Sequence, residues 1–134
     1  MRALVLMIIG LAGFSYLAMR PHQHAQDLLS NERAALAELR TRAQSADRPG
    51  PAAVGGYEFS WQKQRVLIAR PVRAGQTGVR WFATADGALI YEFDPALFKS
   101  GSSGPPTRSM VEYLSMRESQ RTESMRPPGW KRLN

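Results

Sequence analysis

His22 and His24 are the only imidazoles in the chain, and it contains no cysteine. Chelation of a metal from one helix face needs ligands three or four residues apart, whereas a spacing of two turns the rings to different sides. With no further histidine to complete a site, the pair reads as two polar residues at an interface, and no metal is expected. The missing thiols exclude a disulfide framework, a cysteine nucleophile and Cys-ligated zinc or iron–sulfur centres. The carboxylates Glu58, Asp86, Glu92 and Asp94 fall on extended or turn segments, where a solvated face accounts for them. The histidines are poorly placed to serve that region as general bases. The Gly-rich stretch 50–56 lacks the Lys-Ser/Thr of a phosphate-binding loop. No catalytic residue, cofactor or small-molecule substrate is therefore expected, and the chain reads as a non-enzyme.

The residue types that remain suit recognition. Trp61, Trp81, Phe82, Tyr91 and Phe93 are more aromatics than a thin sheet hides on one face, which makes Trp61, Trp81 and Tyr91 candidate anchors for a partner. Trp130 stands beside Lys131 and Arg132 and can dock in a partner's groove or touch anionic lipid. Leu29 and Leu36, seven residues apart on a helical stretch, are candidates for contact with another helix. Arg65, Arg70, Arg73 and Arg80 beside the aromatics would also suit stacking and phosphate contacts. Residues 50–98, however, carry five basic and four acidic side chains, so no nucleic acid is expected.

These residues must be positioned by what 134 residues can build, which is one ordinary domain at most. The strongest signal is the uncharged apolar run 3–19. At about 1.5 Å per residue it spans roughly 25 Å as a helix, against about 30 Å of hydrocarbon. Arg2 and Arg20 bracket it and can snorkel to the two interfaces, and Pro21 ends or kinks the helix. Residues 1–20 thus read as an uncleaved transmembrane anchor. The alternative is a signal peptide cleaved before Gly13 or Tyr16, where small residues occupy the positions a signal peptidase reads. The two-residue basic head favours a cytoplasmic N-terminus and places the body in the periplasm.

Residues 21–47 are rich in Ala, Leu, Glu, Gln and Arg and read as a juxtamembrane helical stalk, with Leu29, Leu36 and Ala43 repeating at seven and Glu32 spoiling a heptad position. The Pro- and Gly-rich stretch 48–56 reads as a linker. Residues 57–98 form a small antiparallel meander of three or four strands, beginning with the alternating Tyr57, Phe59 and Trp61 and including an Asp86-Gly87 hairpin turn. Asp94-Pro95 then starts a short helical turn through Phe98. At 42 residues, this unit is close to the limit of about 40 below which a lone core needs help. That help must come from flanking helices, an oligomer or a partner's sheet. Residues 99–108 are a flexible linker, and 109–134 a short helix opened by the Ser109–Glu112 capping box, followed by an irregular basic tail. That final portion, 99–134, has seven basic and three acidic residues and so supplies most of the net +7.

The architecture expected is α+β: an N-terminal transmembrane helix, a juxtamembrane helix, a small antiparallel β meander, a C-terminal helix and an irregular tail. The Arg-over-Lys usage with abundant Ala, Gly and Pro points to a GC-rich bacterial genome. The function expected is that of a single-pass accessory or assembly subunit of a larger envelope complex in the cell inner membrane. Its partners would be the bilayer and other protein subunits. The competing reading is a processed periplasmic protein that binds a ligand or an anionic surface through the β unit and tail.

Overall fold

The computed structural model describes residues 24–95 and 107–133. The apolar run, Arg2, Arg20, Pro21, His22, the turn expected through Phe98 and most of the linker 99–108 lie outside the described residues. Among the described residues no helix is long and apolar enough to cross a membrane. Among the described residues the fold is α+β, with one six-stranded antiparallel sheet and two α-helices.

The strands are β1 (Ala52–Val54), β2 (Tyr57–Gln62), β3 (Val66–Pro71), β4 (Trp81–Thr84), β5 (Ile90–Phe93) and β6 (Trp130–Arg132), each hydrogen-bonded to its sequence neighbours. The register pairs Phe59 with Ala69, Ala69 with Phe82 and Thr84 with Ile90. Because successive side chains of a strand point to opposite faces, this register collects Tyr57, Phe59, Leu67, Ala69, Phe82 and Ile90 on one face. Helix α1, residues 24–44, packs there through Ala35, Leu39 and Ala43. The alanines let the helix approach closely, and Leu39 fills the space between them with no exposed surface. The other face gathers Val66, Ile68, Ala83, Tyr91, Phe93 and Trp130 under Met110, Val111, Tyr113 and Leu114 of α2 (Thr107–Ser115). Phe93 packs on Trp130, and Tyr91 meets Tyr113 edge-on, both in the tilted geometries aromatic pairs prefer.

Helix α1 runs along the strands from one end of the sheet to the other. Near its start, His24 Nε2 lies 3.2 Å from the Gly75 carbonyl, and Asn31 donates to the Thr77 carbonyl at 3.0 Å. Near its end, α1 passes close to Gly87, which takes a left-handed φ of 83° and where a methyl group would come within 3.2 Å of Ala43 Cβ and 3.3 Å of the Arg40 carbonyl. An Arg42–Glu38 pair at 2.7 Å, one helical turn apart, braces the flank of the helix, with the Arg42 guanidinium 5.1 Å above the Phe59 ring.

Several expectations are revised. Within the segment expected to be a juxtamembrane helical stalk, residues 24–44 are helical as expected and pack on the sheet of the same chain as a layer of the fold. The meander has six strands instead of three or four, because Ala52–Val54 of the presumed linker pairs with β2 and Trp130–Arg132 of the presumed irregular tail pairs with β5. Helix α2 begins at Thr107, before the Ser109 capping box, and stops at Ser115, whose hydroxyl turns back onto the Val111 carbonyl at 2.6 Å. Two short 3-10 turns, Glu118–Gln120 and Glu123–Met125, carry the chain to β6. The Asp86-Gly87 turn is wider than a two-residue hairpin, since Thr84 pairs with Ile90. The Asp86 carboxylate accepts from the Ala88 and Leu89 amides, and Thr84 Oγ1 accepts from Gly87 and donates to Leu89, so side chains supply the bonds that a tight turn makes by backbone alone.

Candidate functional site

Helix α2 covers the β3–β6 part of its face and leaves the β2 side open. There Glu58, Ser60 and Gln62 of β2 point the same way as Ile68 and Arg70 of β3, because the register sets Glu58 against Arg70 and Ser60 against Ile68. Together with Trp81, Thr107, Val111 and Glu112 they line a cleft of about 600 Å³. Buried Ile68 and Val111 contribute apolar surface to the lining, and half-buried Trp81 adds an aromatic one. Arg70 forks onto one Glu58 oxygen at 2.7 and 3.2 Å, and Gln62 donates to the Ser60 hydroxyl at 3.2 Å. Arg108 lies 3.6 Å from Glu112 on the exposed rim formed by α2. The cleft thus offers carboxylates, guanidinium groups, an amide, a hydroxyl and an indole, a set suited to holding a polar chain by hydrogen bonds over an apolar floor. Among the described residues no group of three or more His, Asp or Glu side chains is placed to hold a metal ion.

A second crevice of about 650 Å³ lies between α2 and the segment before β6, lined by Tyr113, Met116, Met125 and Pro127 among others. It shares Glu112 with the first cleft.

A polar cluster fixes the end of the sheet nearest His24 and Asn31 of α1. Glu32 is 6% exposed, and its Oε1 accepts from the amides of Val79 and Arg80 at 3.3 Å while its Oε2 takes the Arg80 guanidinium at 3.1 Å. Arg80 also reaches Asp94 at 3.6 Å and Glu92 at 3.9 Å. The residue that breaks the heptad pattern therefore joins His24 and Asn31 in tying α1 to the β3–β4 connection. Tyr57 donates to the Arg80 carbonyl at 2.8 Å beneath this cluster. Burial, followed by the Glu32 charge, pushes the Tyr57 hydroxyl far above the usual tyrosine range. Burial and the neighbouring Tyr113 push Tyr91 up to about 12. In the unfolded chain both ionise near 10. Below that pH the folded and unfolded states hold the same protons and the full stability is present. Above it the unfolded state loses protons that the fold retains. Stability should fall as pH rises from about 10 to about 12, by about 1.4 kcal/mol per pH unit for each tyrosine. Urea midpoints measured across this range check the slope, and Tyr57→Phe should make it shallower.

The sequence-derived candidates are dispersed by the fold. Trp81 lines the cleft. Trp61 is half-buried, with Arg48 stacked over its ring at 3.8 Å, so the chain covers this indole itself. Tyr91 and Trp130 are buried under α2, and Trp130 is not the exposed tail residue that its position suggests. Leu36 packs at the margin of the α1 core, and Leu29 remains 48% exposed. The Glu58–Arg70 pair carried no signal in the sequence, and Glu32 showed only as a break in the heptad pattern, since neither set of partners follows from spacing without the register. Compared with known proteins, the chain matches no family model, no curated protein and no solved structure.

Proposed function

We propose that this chain is a single-pass membrane accessory subunit of a larger bacterial envelope complex, acting by protein–protein contact without catalysis. The apolar run 3–19 is its anchor in the inner membrane, and the folded body lies in the periplasm. The observation that supports the contact role is the half-covered sheet face, where Trp81, Ser60, Gln62 and the Glu58–Arg70 pair border an open cleft. An extended segment of a neighbouring subunit finds there both an apolar surface and groups that bond to a peptide backbone. The charged residues of the rim set which segment is accepted more than how tightly it is held.

Purification from its native membranes in mild detergent tests this reading. The chain should elute in an assembly larger than itself, and Trp81→Ala with Arg70→Ala should release it as a free chain that remains folded. A wild-type chain eluting alone at 14.9 kDa contradicts the subunit role. The mixed polar lining also suits the processed, ligand-binding reading. The mass of the mature chain separates the two: a start at Gly13 or Tyr16 excludes the anchor.

A further inference from the structure

Three facts meet at the end of the sheet beside His24, the first described residue of α1. First, the antiparallel register brings the β1–β2 turn and the β3–β4 loop to that end: Val54 pairs with Tyr57, Tyr57 pairs with Pro71, and the Val72 amide donates to the Gly56 carbonyl at 2.9 Å. Second, two large apolar side chains project there without cover, Val54 at 44% and Val72 at 52% exposure, with Leu29 at 48% a turn and a half into α1. Third, the loop that presents Val72 and exposed Arg73 is stiff. Its Thr77 hydroxyl accepts from the Arg73 amide at 3.0 Å, the amides of Gln76 and Thr77 both return to the Arg73 carbonyl at 2.9 Å, and Asn31 of α1 holds the Thr77 carbonyl. Neither valine belongs to a core cluster of the fold.

We infer that this end of the module rests on the bilayer surface, with Val54 and Val72 in the headgroup–acyl boundary and Arg73 among the lipid phosphates. The inference depends on the anchor proposed above and adds the surface and orientation of the contact. Chain length supports lipid as the occupant. From Met19, the last residue of the apolar run, to His24 is five residues, which reach at most about 18 Å when fully extended. The polar layer on each side of the hydrocarbon is about 5–8 Å thick. The described part of helix α1, residues 24–44, is about 30 Å long. An upright module with its other end on the membrane would hold His24 about 30 Å away, beyond the reach of the tether. The far end carries Arg48, Lys63 and Arg65, so a search by charge alone would choose it, and the tether rules against that choice.

The absence of native cysteine allows a direct test on the full chain. Val54→Cys, Val72→Cys and, at the far end, Ala88→Cys are each labelled with an environment-sensitive fluorophore. The proteins are then reconstituted into phosphatidylethanolamine–phosphatidylglycerol vesicles with and without a headgroup-level quencher lipid. The expected result is a blue shift and loss of emission at 54 and 72, with neither at 88. Water-like emission at all three sites, in chains that still float with vesicles after a high-salt wash, overturns the resting contact and leaves the anchor standing. A blue shift at 54 and 72 that the quencher lipid does not touch means that protein covers this end, and it also overturns the inference. Quenching at 88 means the module is inverted. Failure to float with the vesicles removes the anchor, and the inference with it.

Discussion

Leu39→Ala should destabilise the folded chain by about 3–4 kcal/mol, near the middle of the range for leucine truncation in a rigid core. Leu39 has no exposed surface and belongs to the cluster of Tyr57, Phe59, Leu67, Phe82 and Ile90. Its neighbours on the same helix face, Ala35 and Ala43, are too short to collapse into the space it would leave. The sheet beneath is fixed by ladder hydrogen bonds on both sides, so little relaxation is available to reduce the cost. Urea unfolding followed by tryptophan emission measures the loss. Leu39→Val serves as a milder variant at about 1 kcal/mol should the alanine chain fail to fold. A loss under about 0.5 kcal/mol for the alanine variant, as expected of a solvated helix position, would mean that α1 is not a layer of the fold.

The second large effect is expected at Gly78. A methyl group there would overlap the Tyr57 hydroxyl and come within 2.5 Å of the ring carbons Cε2 and Cζ. Tyr57 cannot withdraw, because it has no exposed surface and its hydroxyl donates to the Arg80 carbonyl at 2.8 Å. Gly78→Ala should therefore cost about 3 kcal/mol, at the upper end for one added carbon in a packed interior. Tyr57→Phe alone loses one hydrogen bond, about 1 kcal/mol. The double variant should be less unstable than the sum of the two by about 1 kcal/mol, because removing the hydroxyl removes the worst overlap while the ring carbons remain. Denaturation of the four proteins of this cycle checks the coupling. Strict additivity would show that the methyl group is accommodated by a shift of the β3–β4 loop instead.

Both effects concern contacts that the sequence does not announce. The alternation of Tyr57, Phe59 and Trp61 identifies β2 because one face of that strand is buried and the other is polar for six residues. Strands β1 and β6 are three residues each, too short for a period to be visible. Ala52–Val54 is embedded in Gly and Pro, and Trp130–Arg132 in a basic tail, so composition argued against both. They form because a strand already flanked by a core offers open edge bonds, and Trp130 adds its ring to Phe93. In α1 the apolar stripe is legible, but two of its three most buried contacts with the sheet are alanines. A stripe of that kind reads equally well as a helix seam or a spacer. In sequence, Glu32 is a fault in a heptad, because the backbone amides it bonds are 47 and 48 residues away. The size argument pointed in the right direction: 42 residues of sheet need help, and the chain's own helices provide it on both faces.

The cleft was legible only in Trp81. Its other parts come from β2, β3 and α2, and the Glu58–Arg70 pairing exists only once the β2–β3 register is fixed. That register is in turn set by Lys63 and Gln64, which occupy left-handed φ values of 52° and 55° in the turn, a conformation most non-glycine residues avoid.

Everything proposed for the contact surfaces rests on α1 being part of the folded body, which places that body within a few residues of the apolar run. Native-state hydrogen exchange on the full chain measures this most directly. The amides of residues 32–43 should exchange as slowly as those of β3 and β4, and Leu39→Ala should speed all three together. Exchange of 32–43 at the rate of an isolated helix, with β3 and β4 still protected, would contradict the account and return α1 to the role of a stalk.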